Sequence, residues 1–428
     1  MKVLMFGWEF PPHISGGLGT ACYGLTKGLN EIEGIDILFV VPKVFGDEKH
    51  TKTKLIGANN VVLNQKELKF NSKHKKINYL EVDSPIIPYV SEDEFWKFKN
   101  GKYSENIRLI QTNEGYKIDF SGSYGGNLFY EVKNYALVSE FIAKNKSFDI
   151  IHAHDWLTYP AGIAVRSISG KPLIIHVHAT EFDRSNGNIN QNIYDIEREG
   201  MENATKIIAV SNLTRNTIIE KYNIPPKKVI TIYNAVEPLR TIGKKTNKKV
   251  LSEKIVTFLG RITTQKGPEY FIEAANIILK KMNNVRFVMA GSGDLMNTMI
   301  ARAAELKITD KFHFTGFLND GDVFRMLEMT DVFVMPSVSE PFGIVPLEAM
   351  QSGVPVIISN QSGVAEVVEN VIKIDFWNIN AMADAIYGLL NYPSLAKIFK
   401  EKGKEEVRNL KWKNSAEKVY KIYKNAMK

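Results

Sequence analysis

Two glutamates eight positions apart, Glu340 and Glu348, enclose Pro341-Phe342-Gly343-Ile344-Val345-Pro346-Leu347. The apolar run Val332-Phe333-Val334-Met335 ahead of them reads as a buried strand, and the residues from Leu347 as a helix that stops at Gly353. Glu340 therefore falls in the turn at the C-terminal end of a strand, where open α/β sheets bind ligands. Glu348 falls in the first turns of the helix. Carboxylates there accept hydrogen bonds from hydroxyls. The backbone N–H groups between them, around Phe342, Gly343 and Ile344, can hold an anion. A ligand with several hydroxyls and a phosphate suits the pair. The same spacing also fits a capping glutamate followed by a solvated helical one.

Other stretches narrow the chemistry. Gly260-Arg261-Ile262-Thr263-Thr264-Gln265-Lys266-Gly267 follows an apolar run and enters a helix at Pro268. Two fixed cations beside a helix N-terminus match the needs of a pyrophosphate. His13-Ile14-Ser15-Gly16-Gly17-Leu18-Gly19-Thr20 is a glycine-rich turn between strand and helix, without the lysine of a P-loop. His152-Ala153-His154-Asp155 and His176-Val177-His178 are strand ends whose alternate residues share a face. Four histidines and Asp155 could ligate zinc, but no further ligand cluster at metal spacing accompanies them, and buried hydrogen-bonded histidines explain them better. Asp320-Gly321-Asp322 has the D-x-D form of a metal-bound nucleotide site, yet it opens a helix, so capping is expected there.

Elements that position these residues follow from the hydrophobic pattern. Apolar runs at Lys2–Gly7, Ile35–Val41, Asp149–His154, Leu173–His178, Lys206–Val210 and Val229–Tyr233 alternate with helical segments such as Thr20–Leu29 and Phe129–Lys144. A second series runs Ile255–Leu259, Val285–Met289, Phe312–Thr315, Val332–Met335, Val354–Ile358 and Val371–Ile374. Such alternation predicts βαβ units and parallel sheets. The expected fold is thus α/β, with two Rossmann-like doubly wound domains facing a central cleft. The N-terminal domain spans 1–236 with an insertion at about 43–128, rich in lysine, asparagine and aromatic residues. A polar linker covers 237–254, the C-terminal domain 255–411, and a helix 412–428. The 428 residues carry a net charge of +8, spread through the chain, which suits anionic ligands without singling out nucleic acid. One cysteine, Cys22, excludes an internal disulfide and a cysteine-based metal cage. No signal peptide or membrane-length apolar window is read, so a cytoplasmic protein is expected.

Together these pieces resemble the retaining glycosyltransferases of the two-Rossmann (GT-B) type, family 4 and its glycogen- and starch-synthase relatives. The likeness rests on the Gly16-Gly17-Leu18 loop, the His178 strand end, the Gly260-Arg261 to Lys266-Gly267 loop and Glu340-x7-Glu348, in that order. His152-Ala153-His154-Asp155-Trp156, His178-Ala179-Thr180-Glu181-Phe182-Asp183-Arg184, Gly7-Trp8-Glu9-Phe10-Pro11-Pro12 and Glu81-Val82-Asp83-Ser84-Pro85 look most like the glucan synthases. Two departures are Ile14, where bacterial glycogen synthases carry lysine, and Gln361-Ser362-Gly363-Val364 in place of Thr-Gly-Gly-Leu.

The resemblance implies that Arg261 and Lys266 hold a donor diphosphate, Glu340 the hexose hydroxyls, Glu348 the ribose and the Gly316-Phe317 backbone the base. Gly16 and Gly17 would approach the phosphate. His178 would line the transferring sugar, and Asp155, Glu181 and Asp183 the donor or acceptor sugar. The last helix would return to the N-terminal domain. The implied reaction moves glucose from ADP-, UDP- or GDP-glucose to the non-reducing end of an α-1,4-glucan, with no metal and no cofactor beyond the nucleotide sugar. Alternatives are a hexosyltransferase acting on a lipid-linked or small acceptor, and a non-catalytic glucan-binding protein using the aromatic stretch Phe95–Tyr130. Neither nucleic-acid binding nor membrane association is expected, and the oligomeric state is left open.

Overall fold

Where β-branched and other apolar residues run together, the backbone is extended and buried. The computed structural model describes residues 1–14, 16–48, 52–63, 109–125, 127–185, 187–238 and 252–428. Its first strands are Lys2–Phe6 (β1), Asp36–Val41 (β2), Lys54–Gly57 (β3), Leu109–Thr112 (β4), Gly115–Ile118 (β5), Ile150–His154 (β6), Leu173–Val177 (β7), Lys206–Ala209 (β8) and Val229–Thr231 (β9). All residues of β6 and β7 are buried, as in a sheet covered on both faces. Among the described residues, seven of these strands form a parallel sheet in the order β3-β2-β1-β6-β7-β8-β9. The order reverses between β1 and β6, so the loops that leave these two strands flank the switch point at which such sheets take ligands.

The chain divides into two units, one of Met1–Tyr233 with Trp412–Lys428 and one of Asn234–Lys411. In the second, Lys254–Leu259 (β10), Val285–Ala290 (β11), Phe312–Gly316 (β12), Val332–Met335 (β13), Val356–Ser359 (β14) and Ile372–Ile374 (β15) form a parallel sheet. Its order is β12-β11-β10-β13-β14-β15, with the reversal between β10 and β13. Each unit has its own apolar core.

The final helix, Trp412–Ala426, belongs to the first unit and buries Trp412, Ser415, Ala416, Val419, Ile422 and Tyr423, a stripe at helical spacing. It crosses the helix Gly17–Asn30 at two glycines. A Cβ on Gly24 would stand 2.2 Å from the Trp412 indole, and one on Gly28 would stand 2.6 Å from the Trp412 carbonyl oxygen. Only glycine permits this approach. The Ser415 hydroxyl donates to the Tyr233 carbonyl at 2.7 Å, fixing the helix end to the sheet it covers.

Several elements differ from the sequence reading. The first helix starts at Gly17 rather than Thr20, because Gly17 to Gly19 continue its turn. Within 43–128, β3 extends the main sheet, while β4 and β5 form a hairpin whose Tyr116 pairs with Leu63. Phe120 and Tyr124 from this stretch are buried beside Tyr135 and Trp8, so they serve the core and are closed to sugar stacking. Phe95, Trp96, Phe98, Tyr103, the Glu81–Pro85 motif, the basic runs Lys73-His74-Lys75-Lys76 and Lys244 to Lys249, and most of the linker lie outside the described residues. The helix Asp320–Met329 is capped by Asn319, whose side chain accepts from the Asp322 N–H at 3.1 Å. Capping thus falls one residue ahead of the acidic pair. Among the described residues no helix is long and apolar enough to cross a membrane.

Candidate active site

In the second unit the loops that leave β10, β11, β13 and β14 are tied to one another by their backbones. The Ile262 N–H donates to the Ser292 carbonyl at 2.9 Å, and the Leu295 N–H donates back to the Ile262 carbonyl at 3.0 Å. The Val338 N–H donates to the Gln265 carbonyl at 2.9 Å. Glu340 donates its N–H to the Gln361 carbonyl (3.0 Å) and accepts from the Gly363 N–H (2.8 Å). These loops approach so closely that glycine is required. Gly267 has φ +65°, and a Cβ there would meet the Pro336 carbonyl oxygen at 2.2 Å; at Gly291, with φ +133°, it would meet the Gly260 oxygen at 1.9 Å.

The side chains converge on the same place. Lys266 Nζ donates to Glu340 Oε2 at 2.5 Å, with the two side chains 17% and 10% exposed. The buried Ser337 hydroxyl reaches the same oxygen at 3.5 Å. Arg261 donates to Gln265 Oε1 at 3.1 Å and lies near Asp294, whose carboxyl is raised by burial and pulled back by Arg261. Gln265, Ser337, Gly291 and Asp294 were not picked from sequence. The Gly291-Ser292-Gly293 turn after an apolar run was the available signal.

Of the remaining positions, Glu348 is half-buried in the helix Val345–Gln351. Phe342 and Ile344 are buried, which leaves their backbone rather than their side chains to meet a ligand. Gly316 ends β12 with φ +73°, and Phe317 beside it is 65% exposed.

The first unit gathers its own set at the ends of β6 and β7. Asp155 adopts φ 60°, a left-handed conformation that aspartate tolerates better than most residues. There its Oδ1 accepts from the backbone N–H groups of His178 (3.0 Å) and Ala179 (3.3 Å). Burial raises the Asp155 carboxyl to about 6, opposed by Arg184 and by these two hydrogen bonds. Asp183 accepts from the Thr180 N–H at 2.7 Å and hydroxyl at 2.8 Å. Glu181 accepts from the Asn190 N–H at 3.0 Å and pairs with Arg184 at 3.5 Å. The three carboxylates expected near sugar are thus buried, Asp155 and Asp183 engaged with the turn's own backbone and Glu181 with the Asn190 N–H and Arg184. Gly16 and Gly17, at the loop leaving β1, are exposed with nothing within 4 Å of a built Cβ, an open approach to the backbone.

Residues 120–240 match glycosyltransferase family 4, and residues 240–406 match glycosyl transferases group 1, so the matches together span more than half of the chain. The chain belongs to the family 4 glycosyltransferases. It is a hexosyl-transferring enzyme of the GT-B type.

Similar proteins include an uncharacterised glycosyltransferase of Methanocaldococcus jannaschii, 27% identical over 100% of this chain and 99% of its own. An α-1,3-galactosyltransferase of Escherichia coli that uses UDP-Gal and a GlcNAc-diphosphoundecaprenol is 28% identical over 70% of this chain and 83% of its own. The glycogen synthase of Mycobacterium tuberculosis is 22% identical over 93% and 88%. The solved sucrose-phosphate synthase of Thermosynechococcus elongatus shares the fold, with a TM-score of 0.70, 17% identity and 99% and 98% coverage.

Four of the histidines of this glycosyltransferase cluster on one face of β6 and β7, with His152, His154 and His176 buried and His178, just past the end of β7, half-buried. His152 and His176 are 5.4 Å apart at 6°, His152 and His154 4.2 Å at 26°, and His176 and His178 4.4 Å at 20°. His154 Nδ1 and His178 Nε2 share a hydrogen bond at 2.9 Å, and His152 Nδ1 meets the Tyr423 hydroxyl at 2.5 Å. Burial holds all four well below the usual imidazole range, with His178 at about 3, so they are neutral. Ligand atoms of His152, His154 and His176 fall within 4.8 Å of one another, as do those of Cys22, His154 and His178. Ring lone pairs lie in the ring plane, however, and the stacked rings of His152, His154 and His176 send them side by side rather than toward one point, so that set fits a metal poorly. In the other set the facing nitrogens of His154 and His178 are taken up by their shared hydrogen bond.

Proposed function

We propose that this glycosyltransferase moves glucose from a nucleotide-glucose donor to the non-reducing end of an α-1,4-glucan, retaining the anomeric configuration. The observation that supports it best is the Lys266–Glu340 pair at the switch point of the second unit's sheet, with Arg261 on the same loop as Lys266. A carboxylate beside an ammonium matches a hexose hydroxyl beside a phosphate. When the donor binds, Lys266 can turn from Glu340 to a phosphate oxygen while Glu340 accepts from sugar hydroxyls. The bond from the anomeric carbon to the β-phosphate oxygen then breaks, its electron pair going to the phosphate, where Lys266 and Arg261 stabilise the charge. The acceptor hydroxyl attacks the face being vacated and passes its proton to the departing phosphate. No metal and no covalent enzyme intermediate enters this scheme. In the first unit, His178 is assigned to the sugar.

The E. coli relative that acts on a diphosphoundecaprenol-linked sugar favours a second reading, a lipid-linked acceptor. A thermal-shift panel of ADP-, UDP- and GDP-glucose, followed by an acceptor screen, tests both. Transfer to glycogen and maltooligosaccharides supports the first reading. Transfer only to polyprenyl-diphosphate sugars overturns it in favour of the second.

A further inference from the structure

Four successive backbone N–H groups, those of His178, Ala179, Thr180 and Glu181, each donate to a buried carboxylate. Asp155 takes the first two, Asp183 the third and Glu197 the fourth, the last at 3.0 Å. Glu197 stands apart from the others. It lies on another helix, Gln191–Asn203, is 1% exposed and offers nothing to a ligand. Its Oε2 also accepts from the Tyr222 hydroxyl, and its Oε1 pairs with Arg184 Nη2. Arg184 in turn reaches Glu181, whose carboxylate accepts from the Asn190 N–H, and Asn190 caps the Glu197 helix. The ring of contacts closes on itself. Phe182 sits edge-on to Tyr222 at 5.5 Å and Tyr194 stacks on Tyr222 at 4.9 Å, sealing the pair from solvent.

A buried ion pair is weak evidence for stability, since desolvation consumes much of what the pairing returns. Here the pair ties the turn to the helix Gln191–Asn203. We propose that Glu197 is a positioning residue for His178: through the Glu181 N–H and Arg184 it sets where the turn leaves β7, and so where the imidazole is held. This rests on the reading of His178 given above. Asp155 anchors the turn where it begins, Glu197 where it enters the helix Glu181–Ser185. A carboxamide at 197 keeps the volume, but it loses the charge that Arg184 faces and one acceptor.

The test compares Glu197→Gln, Tyr222→Phe, His178→Ala and the double variant H178A/E197Q in the full chain, with unfolding curves to confirm that each is folded. Misplacing a group at the reacting centre by about 1 Å costs up to about a hundredfold in rate. We expect E197Q to lower kcat about tenfold or more with the donor KM within about twofold, and Y222F to do the same more weakly. The double variant should be no slower than H178A, because the two residues act as one unit. A role confined to stability would lower the unfolding midpoint and leave kcat per folded molecule unchanged, which overturns the proposal. So does an E197Q loss that multiplies in full onto that of H178A. Full turnover by H178A would instead overturn the reading of His178, and this inference with it.

Discussion

Lys266 and Glu340 are 74 positions apart in sequence, and their side chains meet at 2.5 Å. They meet because β10 and β13 are neighbours in the sheet, and each carries its residue on the loop leaving its C-terminal end. Neither side chain is more than 17% exposed, so the pair is largely shielded from solvent.

Removing either partner should stop transfer. Lys266→Ala and Glu340→Gln are each expected to lower turnover at least about a hundredfold, as loss of a stabiliser of developing charge does. Both should keep the native circular dichroism spectrum. Near-wild-type turnover in either variant would show that the pair lies outside the active site.

Gly267→Ala should destabilise the second unit by at least about 2 kcal/mol, because the methyl meets a carbonyl oxygen in a backbone conformation that already disfavours alanine. Urea unfolding measures this. Gly16→Ala, at an exposed position with open space around it, should change stability by less than about 0.5 kcal/mol. Equal costs at the two sites would contradict the packing described.

His176 has both ring nitrogens buried without a hydrogen-bond partner among the described residues. Burial, then His178 and His154, depress its pKa from 6.5, so the native state keeps it neutral. Its contribution is fully present above pH 6.5 and is lost below, where only the unfolded chain takes up the proton. In urea unfolding, His176→Leu should therefore gain on the wild type by about 1.4 kcal/mol for each pH unit below 6.5. A pH-independent difference would mean that the ring titrates normally in the fold.

Chelation should leave the enzyme working. Pre-incubation with EDTA is expected to change neither turnover nor the unfolding midpoint, since the stacked imidazoles of His152, His154 and His176 aim their lone pairs in parallel and the proposed scheme gives the leaving group to Arg261 and Lys266. Loss of activity that zinc restores would return the histidine cluster to the mechanism.

The local pattern of the chain already determined much of this. Short apolar runs alternating with amphipathic segments specify parallel strands and helices, and glycines after those runs mark turns. Glu340, Arg261 and Lys266 could each be placed at a strand end because such ends are written in nearby residues. Strand order is different, since it depends on where each crossover returns. Only the folded sheet brought β10 beside β13 and Lys266 to Glu340. Likewise, no spacing along the chain announced that Asp155, Asp183 and Glu197 would each hold part of one four-residue turn. Nor did it show that Gly24 and Gly28 would admit Trp412 from the far end of the sequence. Burial made that difference: a carboxylate that sequence offers to a ligand is claimed by unpaired backbone N–H groups once water is gone.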